Sequence, residues 1–446
     1  MNWTIQTAAP LLRTGQLSPV ELLEACLARI DALESRVRAW AFLDAGRARA
    51  QAEAAHAEIR RGTYRGALHG IPLGIKDVID VFDWPTGCGS RRWAHSYARA
   101  DAPVVSRLRQ AGAVFLGKTV TTPFASFDPP PTRNPYDPTR TPGGSSSGSA
   151  AAVAAGMCVA ALGTQTGGSV ARPAGYCGVP SIKPTFGRVS TQGILPLAPS
   201  LDHVGIFARC VADLAVVLQA IAGSDQRSRL TLPSVPDFSA KLGQPPELAE
   251  FGRLHGFFDE RAEPAMLRLM EQVGEQIVKA GGYVWDFVLP AAFVDVLPRH
   301  RTIMAVEAAA YHQDRLARHP DDYPPLVRGL IEEGINTPAP EYSQCLVHKE
   351  QLTDAVEQLF DGKTVLLTPA TTGPAPAADT TGDPAFNSPF SYSGHPTVTI
   401  PAGWSDDGLP LSIQLIGQTF EEPELLAVAH WCEGVLGWQA RPLPGV

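Results

Sequence analysis

Between Gly144 and Ser169 the chain passes from one glycine-rich serine turn, Gly144-Ser145-Ser146-Ser147-Gly148-Ser149, to another, Gly167-Gly168-Ser169. The connection is alanine-rich from Ser149 to Ala155, which reads as helix, and apolar from Met157 to Leu162, which reads as a buried strand. A helix feeding a buried strand is the building unit of an α/β protein, in which helices cover both faces of a sheet. Few all-helical or all-strand folds accommodate such a segment.

The same pattern recurs along the chain. Ser18-Pro19-Val20-Glu21 forms a capping box with proline at the first helical position, opening a helix with Val20, Leu23, Leu27 and Ile30 on its apolar face. Helices are expected at Ala45 to Arg61, Pro103 to Gln110, Pro264 to Lys279 and Glu422 to Val435. Strands are expected within Gly70 to Val81 and at Ala113 to Leu116, Tyr283 to Val288, Thr364 to Leu367, Thr397 to Ile400 and Leu411 to Ile416. Asp225 to Glu250 reads as loop, but no linker divides two cores. The expectation is α/β: one large domain over residues 1–446, with a central mixed, largely parallel twisted sheet covered by helices on both faces.

With 44% hydrophobic residues the chain can bury a large core, and 41 glycines and 40 prolines imply many tight turns. Net charge is −8 without a basic run, which argues against nucleic acid and anionic membranes as partners. The seven cysteines are odd in number and never spaced Cys-x-x-Cys, which points to free thiols rather than disulfides or zinc. The N-terminal residues show no secretory pattern, and the longest apolar run, Ala150 to Leu162, is too short to span a bilayer. A soluble, cytoplasmic protein is expected.

Two serines 24 positions apart in glycine-rich turns, with Lys76 upstream in Gly74-Ile75-Lys76-Asp77, are parts for nucleophilic catalysis without histidine. Serine attacks poorly until a neighbour takes its proton, and lysine does so only when burial keeps it neutral. Glycines beside the serine let backbone N–H groups approach an oxyanion. These features point to an acyl-transfer hydrolase.

Two other motifs fail on context. Gly112 to Thr119 matches the phosphate-loop pattern, but its interior, Ala113 to Leu116, reads as strand rather than loop, and Thr121-Thr122-Pro123 follows where a helix belongs. Gly144 to Gly148 fits the nucleophile elbow, yet Pro135, Pro138 and Pro142 exclude the strand that must precede it.

Taken together, Gly143 to Val153, Thr166-Gly167-Gly168-Ser169 and Gly74 to Asp77 resemble the amidase signature family. The resemblance extends through Thr132-Arg133-Asn134-Pro135, Cys177-Gly178-Val179 with Lys183-Pro184, and Leu367-Thr368-Pro369. Its signature core covers about residues 65–210, and it is thinnest over about 225–350, the variable region expected to shape the substrate pocket. It implies Ser169 as nucleophile, Ser145 as bridging serine after a cis peptide, and Lys76 as terminal base. It also implies an oxyanion hole of N–H groups from Thr166, Gly167, Gly168 and Ser169. Family members usually carry aspartate four residues before the nucleophile and arginine two after it; here Gln165 and Arg172 stand instead, the latter three after. Both departures, with the Thr121 to Ser126 run, resemble the malonamidase-type branch. Arg172, Thr164 and Ser146 are candidate substrate-binding residues.

The resemblance implies an amidase for small amides, with carbamates and esters also within its chemistry, needing neither metal nor cofactor. The alternative it carries is the ammonia-releasing A-type subunit of a glutamine-dependent tRNA amidotransferase, against which Gln165, Arg172 and Pro123 argue. A homodimer stays open.

Overall fold

A computed structural model describes residues 3–223, 234–244, 249–360 and 364–444. Eleven strands make one sheet: β1 (Trp40–Leu43), β2 (Pro72–Lys76), β3 (Val114–Thr119), β4 (Ala160–Gln165), β5 (Ser181–Lys183), β6 (His203–Phe207), β7 (Glu250–Leu254), β8 (Tyr283–Phe287), β9 (Thr364–Pro369), β10 (Thr397–Trp404) and β11 (Pro410–Ile416). Their order is β1-β3-β2-β4-β6-β5-β10-β11-β9-β7-β8. The sheet is mixed, with helices packed on it, as expected. Its parallel pairings group in two triplets, β3-β2-β4 and β9-β7-β8, and the strands between them run antiparallel.

The first triplet follows from the sequence. Every residue of β2, β3 and β4 is buried, which suits strands covered on both faces. Beneath them lies the helix Ser147–Ala154, whose small residues Ala150, Ala151 and Ala152 are fully buried. It approaches so closely that a Cβ on Gly148 would stand 2.2 Å from the Ala39 carbonyl oxygen and 2.3 Å from the Val120 nitrogen. Only glycine fits there. The capping box also forms: Ser18 Oγ accepts from the Glu21 N–H at 3.1 Å, and Glu21 Oε2 accepts from the Ser18 N–H at 2.8 Å.

Several boundaries shift. Within Gly70 to Val81 only Pro72–Lys76 joins the ladder, because the chain turns directly after Lys76. The phosphate-loop look-alike is strand through Gly117 and Lys118, and the Lys118 ammonium pairs with Asp77 at 3.1 Å. Much of the expected loop at Asp225 to Glu250 lies outside the described residues, and Glu250 opens β7. The helices Val296–Arg318, Pro325–Asn336 and Ala339–Glu357 had no clear sequence signal. Val296–Arg318 and Ala339–Glu357 carry charge around more than half of their circumference, which weakens the apolar period. Pro325–Asn336 has an apolar face of Val327, Leu330 and Ile331 but is short and holds Gly329 and Gly334, which weaken its helix signal.

All seven cysteines are free thiols, six of them buried. Among the described residues, no helix is long and apolar enough to cross a membrane, and no group of three or more His, Cys, Asp or Glu side chains could hold a metal ion.

Candidate active site

The parallel strands β2 and β4 end side by side, where open α/β sheets gather functional groups. Lys76 closes β2, is fully buried, and its Nζ lies 2.9 Å from Ser145 Oγ. The same nitrogen meets Thr164 Oγ1 at 2.7 Å and the Thr164 carbonyl at 3.4 Å. Burial pulls the Lys76 pKa down to about 7, against the opposing charge of Asp202. A lysine in this position is neutral for much of its population at physiological pH.

Ser145 follows a cis peptide bond after Gly144. The turn is held from several sides. The Ser145 carbonyl accepts from the Thr122 N–H and the Ser169 carbonyl from the Ser146 N–H, each at 3.2 Å. Asn134 braces the approach, donating to the carbonyls of Thr141 at 3.1 Å and Tyr176 at 2.9 Å. Proline-rich chain precedes the turn and the helix Ser147–Ala154 follows it, so no strand-borne elbow exists.

Thr166, Gly167, Gly168 and Ser169 border a cleft of about 310 Å³. Its walls include Ala125, Phe127, Leu197, Leu297 and Met304, with Ser126, His300, Arg301, Asp383 and Ser388 supplying polar groups. Ser169 is 8% exposed at its edge. A Cβ on Gly168 would stand 2.7 Å from Asn387 Oδ1, so a larger residue would push this turn off its seat. Phe124 and Ala125 both have positive φ (50° and 59°), a costly conformation for residues with side chains, where the Thr121 to Ser126 run enters the cleft wall.

The candidate substrate-binding residues are engaged elsewhere. Ser146 is fully buried; its Oγ donates to the Thr164 carbonyl at 3.1 Å and accepts from the Thr164 N–H at 3.2 Å. Ser146 therefore ties the turn to β4 and has no surface for a ligand. The Thr164 side chain faces Lys76. Arg172 borders the cleft but is 1% exposed. Its Nη1 donates to the Gly382 carbonyl at 2.9 Å, and its Nη2 to the Gly144 carbonyl at 2.8 Å and Thr381 Oγ1 at 3.3 Å. Burial lowers its pKa to about 10. These contacts tie the Gly144 turn to the 381–382 loop.

Other residues at the site carried no sequence signal. Asp202, just before β6, accepts from Thr166 Oγ1 and from the N–H groups of Leu197 at 2.9 Å and Ala198 at 3.1 Å. Burial raises its pKa to about 6, against those hydrogen bonds. His300, from the long helix Val296–Arg318, donates from Nε2 to the Thr166 carbonyl at 3.0 Å. Burial brings its pKa down to about 4, so it is neutral at physiological pH. Single Asp and His residues without a motif stand out only once the chain has folded.

A family model described as Amidase matches residues 21–426. AmiD of Mycobacterium tuberculosis, named as an amidase, is 36% identical over 98% of this chain and 94% of its own length. The A-type subunit of the glutamyl-tRNA(Gln) amidotransferase of Chloroflexus aggregans is 35% identical over 98% of this chain and 97% of its own. The solved structure of the peptide amidase from Stenotrophomonas maltophilia superposes with a TM-score of 0.86 at 31% identity, over 99% of this chain and 98% of that one. The chain belongs to the amidase signature family and is an amidohydrolase.

Proposed function

We propose that the protein hydrolyses C–N bonds of small amides through Ser169, Ser145 and Lys76. The observation that carries this reading is the buried Lys76 Nζ at 2.9 Å from Ser145 Oγ, beside the turn that holds Ser169 at the cleft. Neutral Lys76 takes the Ser145 proton while Ser145 takes that of Ser169. The Ser169 oxygen bonds to the carbonyl carbon, and the carbonyl π pair moves to oxygen. N–H groups of Thr166, Gly167, Gly168 and Ser169 stabilise that oxyanion. The C–N bond then breaks as the proton returns along the relay to the leaving amine. Water, activated by the same relay, releases the acyl group from Ser169. Proton relay and backbone donors account for every step, without metal or cofactor. Carbamates and esters pass through the same type of intermediate.

The malonamidase-type branch rests on Gln165, the position of Arg172 and the Thr121 to Ser126 run, and we assign no acyl specificity from it. The amidotransferase reading draws support from the 35% identity to A-type subunits of that enzyme. The two readings separate in one experiment: the purified chain alone is given a panel of amides, carbamates, esters and glutamine. Turnover of non-glutamine amides supports the stand-alone amidase. Glutaminase activity that appears only with the other amidotransferase chains present supports the alternative.

A further inference from the structure

The turn bearing the proposed oxyanion donors is held by three side chains. In a trans peptide the C=O of one residue and the N–H of the next point in opposite directions. Whatever grips the Thr166 carbonyl therefore aims the Gly167 N–H, and whatever grips the Gly167 carbonyl aims the Gly168 N–H. His300 Nε2 holds the first carbonyl at 3.0 Å, and Ser391 Oγ holds the second at 2.6 Å. His300 and Ser391 come from the distant helices Val296–Arg318 and Ser388–Tyr392.

Gln165 decides which way the Ser391 hydroxyl points. Its Oε1 accepts from the N–H groups of Val170 at 2.7 Å and Ala171 at 2.9 Å, so its NH₂ end faces away from them. That end donates to Ser391 Oγ at 3.0 Å. With an N–H already directed at its oxygen, Ser391 turns its own proton to the Gly167 carbonyl. A carboxylate at position 165 has no proton to give and would take the Ser391 proton itself, leaving the Gly167 carbonyl unheld. His300 shows the same directionality: because a carbonyl can only accept, the proton of the neutral ring is on Nε2.

We propose that Gln165, Ser391 and His300 are positioning residues that aim the Gly167 and Gly168 N–H groups at the developing oxyanion. This rests on the proposed role of Ser169. It also gives the glutamine that replaces the family's usual aspartate a chemical task.

The test compares two inhibitors of one skeleton. Trifluoromethyl phenethyl ketone adds to the nucleophile: a bond forms between Ser169 Oγ and the carbonyl carbon, the π pair moves to oxygen, and the Ser169 proton passes through Ser145 to Lys76. Methyl phenethyl ketone occupies the cleft without that step. Inhibition constants for both are measured with wild type, Ser391→Ala, Gln165→Glu, His300→Leu and His300→Gln, with circular dichroism checking the fold. Misaimed donors should weaken the trifluoromethyl ketone about 10- to 100-fold more than the methyl ketone. The ratio of the two is the readout, because His300 also lines the cleft that both ketones occupy. His300→Gln, which keeps an N–H donor, should stay close to wild type. Equal weakening of both ketones, or of neither, overturns the inference. If wild type forms no adduct by fluorine NMR, or Ser169→Ala keeps it, the Ser169 assignment fails and this inference falls with it. Loss of the adduct in Ser169→Ala with an unchanged ketone ratio in the other variants overturns the positioning role alone.

Discussion

Lys76 Nζ lies closer to Thr164 Oγ1, at 2.7 Å, than to Ser145 Oγ, at 2.9 Å. The threonine hydroxyl thus fixes where the lysine nitrogen sits before any proton moves. Thr164→Val keeps the shape and removes the hydroxyl. It should lower kcat about tenfold, the value of one hydrogen bond, with little change in KM, whereas Thr164→Ser should retain most activity. Full activity in the valine variant would remove Thr164 from the relay's support.

Ser169→Ala should abolish nearly all turnover while the melting temperature stays close to wild type, because Ser169 is at the cleft edge and not in the core. Peptide mapping of wild type trapped with a sulfonyl fluoride should find the added mass on Ser169. Mass on Ser146 or Ser147 would reassign the nucleophile. Both are fully buried, with hydroxyls bonded to the Thr164 and Gly143 carbonyls.

The proposed base role of Lys76, whose pKa burial lowers to about 7, predicts an acidic limb in the activity profile. kcat/KM should fall as pH drops below about 7 and hold at alkaline pH, since only the neutral amine accepts the relay proton. Lys76→Arg should not rescue activity, because arginine stays charged. A wild-type profile without that limb, or an active arginine variant, would end the base assignment.

Stability should follow the same group. Lys76 titrates at about 7 when folded and at about 10.4 when unfolded, so between these values the unfolded chain binds more protons. Stability relative to Lys76→Met should therefore rise with pH across that window. Below about 7 the cost of burying the charge is fully present, and above about 10.4 it is absent. The change is on the order of 4 kcal/mol. Urea unfolding of both proteins at several pH values measures it, and parallel curves would contradict burial of a titrating lysine.

Arg172 donates to two carbonyls and a hydroxyl of the protein itself. Arg172→Ala strands those buried acceptors and should cost about 2–5 kcal/mol. Its contacts favour bracing over substrate binding, so kcat/KM for a carboxylate-bearing amide and for its neutral analogue should fall together. A selective loss on the acidic substrate would instead assign Arg172 to the acyl pocket.

Much of the fold was readable where local chemistry and burial agree. Pro103–Gln110 and Pro264–Lys279 match their expected bounds because proline at the first position and an apolar face mark each helix. β5 and β6 escaped notice because short strands in a buried sheet lack the alternation that marks a half-exposed one. The helices Val296–Arg318 and Ala339–Glu357 carry too much charge around their circumference for a clean apolar period, and Pro325–Asn336 is short with two glycines inside it. At the site, Lys76, Ser145 and Ser169 stood out through their glycine-rich neighbours, whereas His300, Ser391 and Asp202 sit in ordinary local sequence.

By itself the sequence determined the two glycine–serine turns, the small-residue helix between them, and the lysine at a strand end. All three follow from local sterics: glycine permits close approach, alanine packs tightly, and proline excludes ladders. Tertiary structure decided the rest. Lys76 is held near neutrality only because β3, β4 and the helix Ser147–Ala154 surround β2. Arg172 meets the Gly382 carbonyl, and Ser391 the Gly167 carbonyl, only because segments more than 200 residues apart converge on the site. Desolvation and carbonyl partnership are properties of the assembled surroundings, so no reading of neighbouring residues contains them.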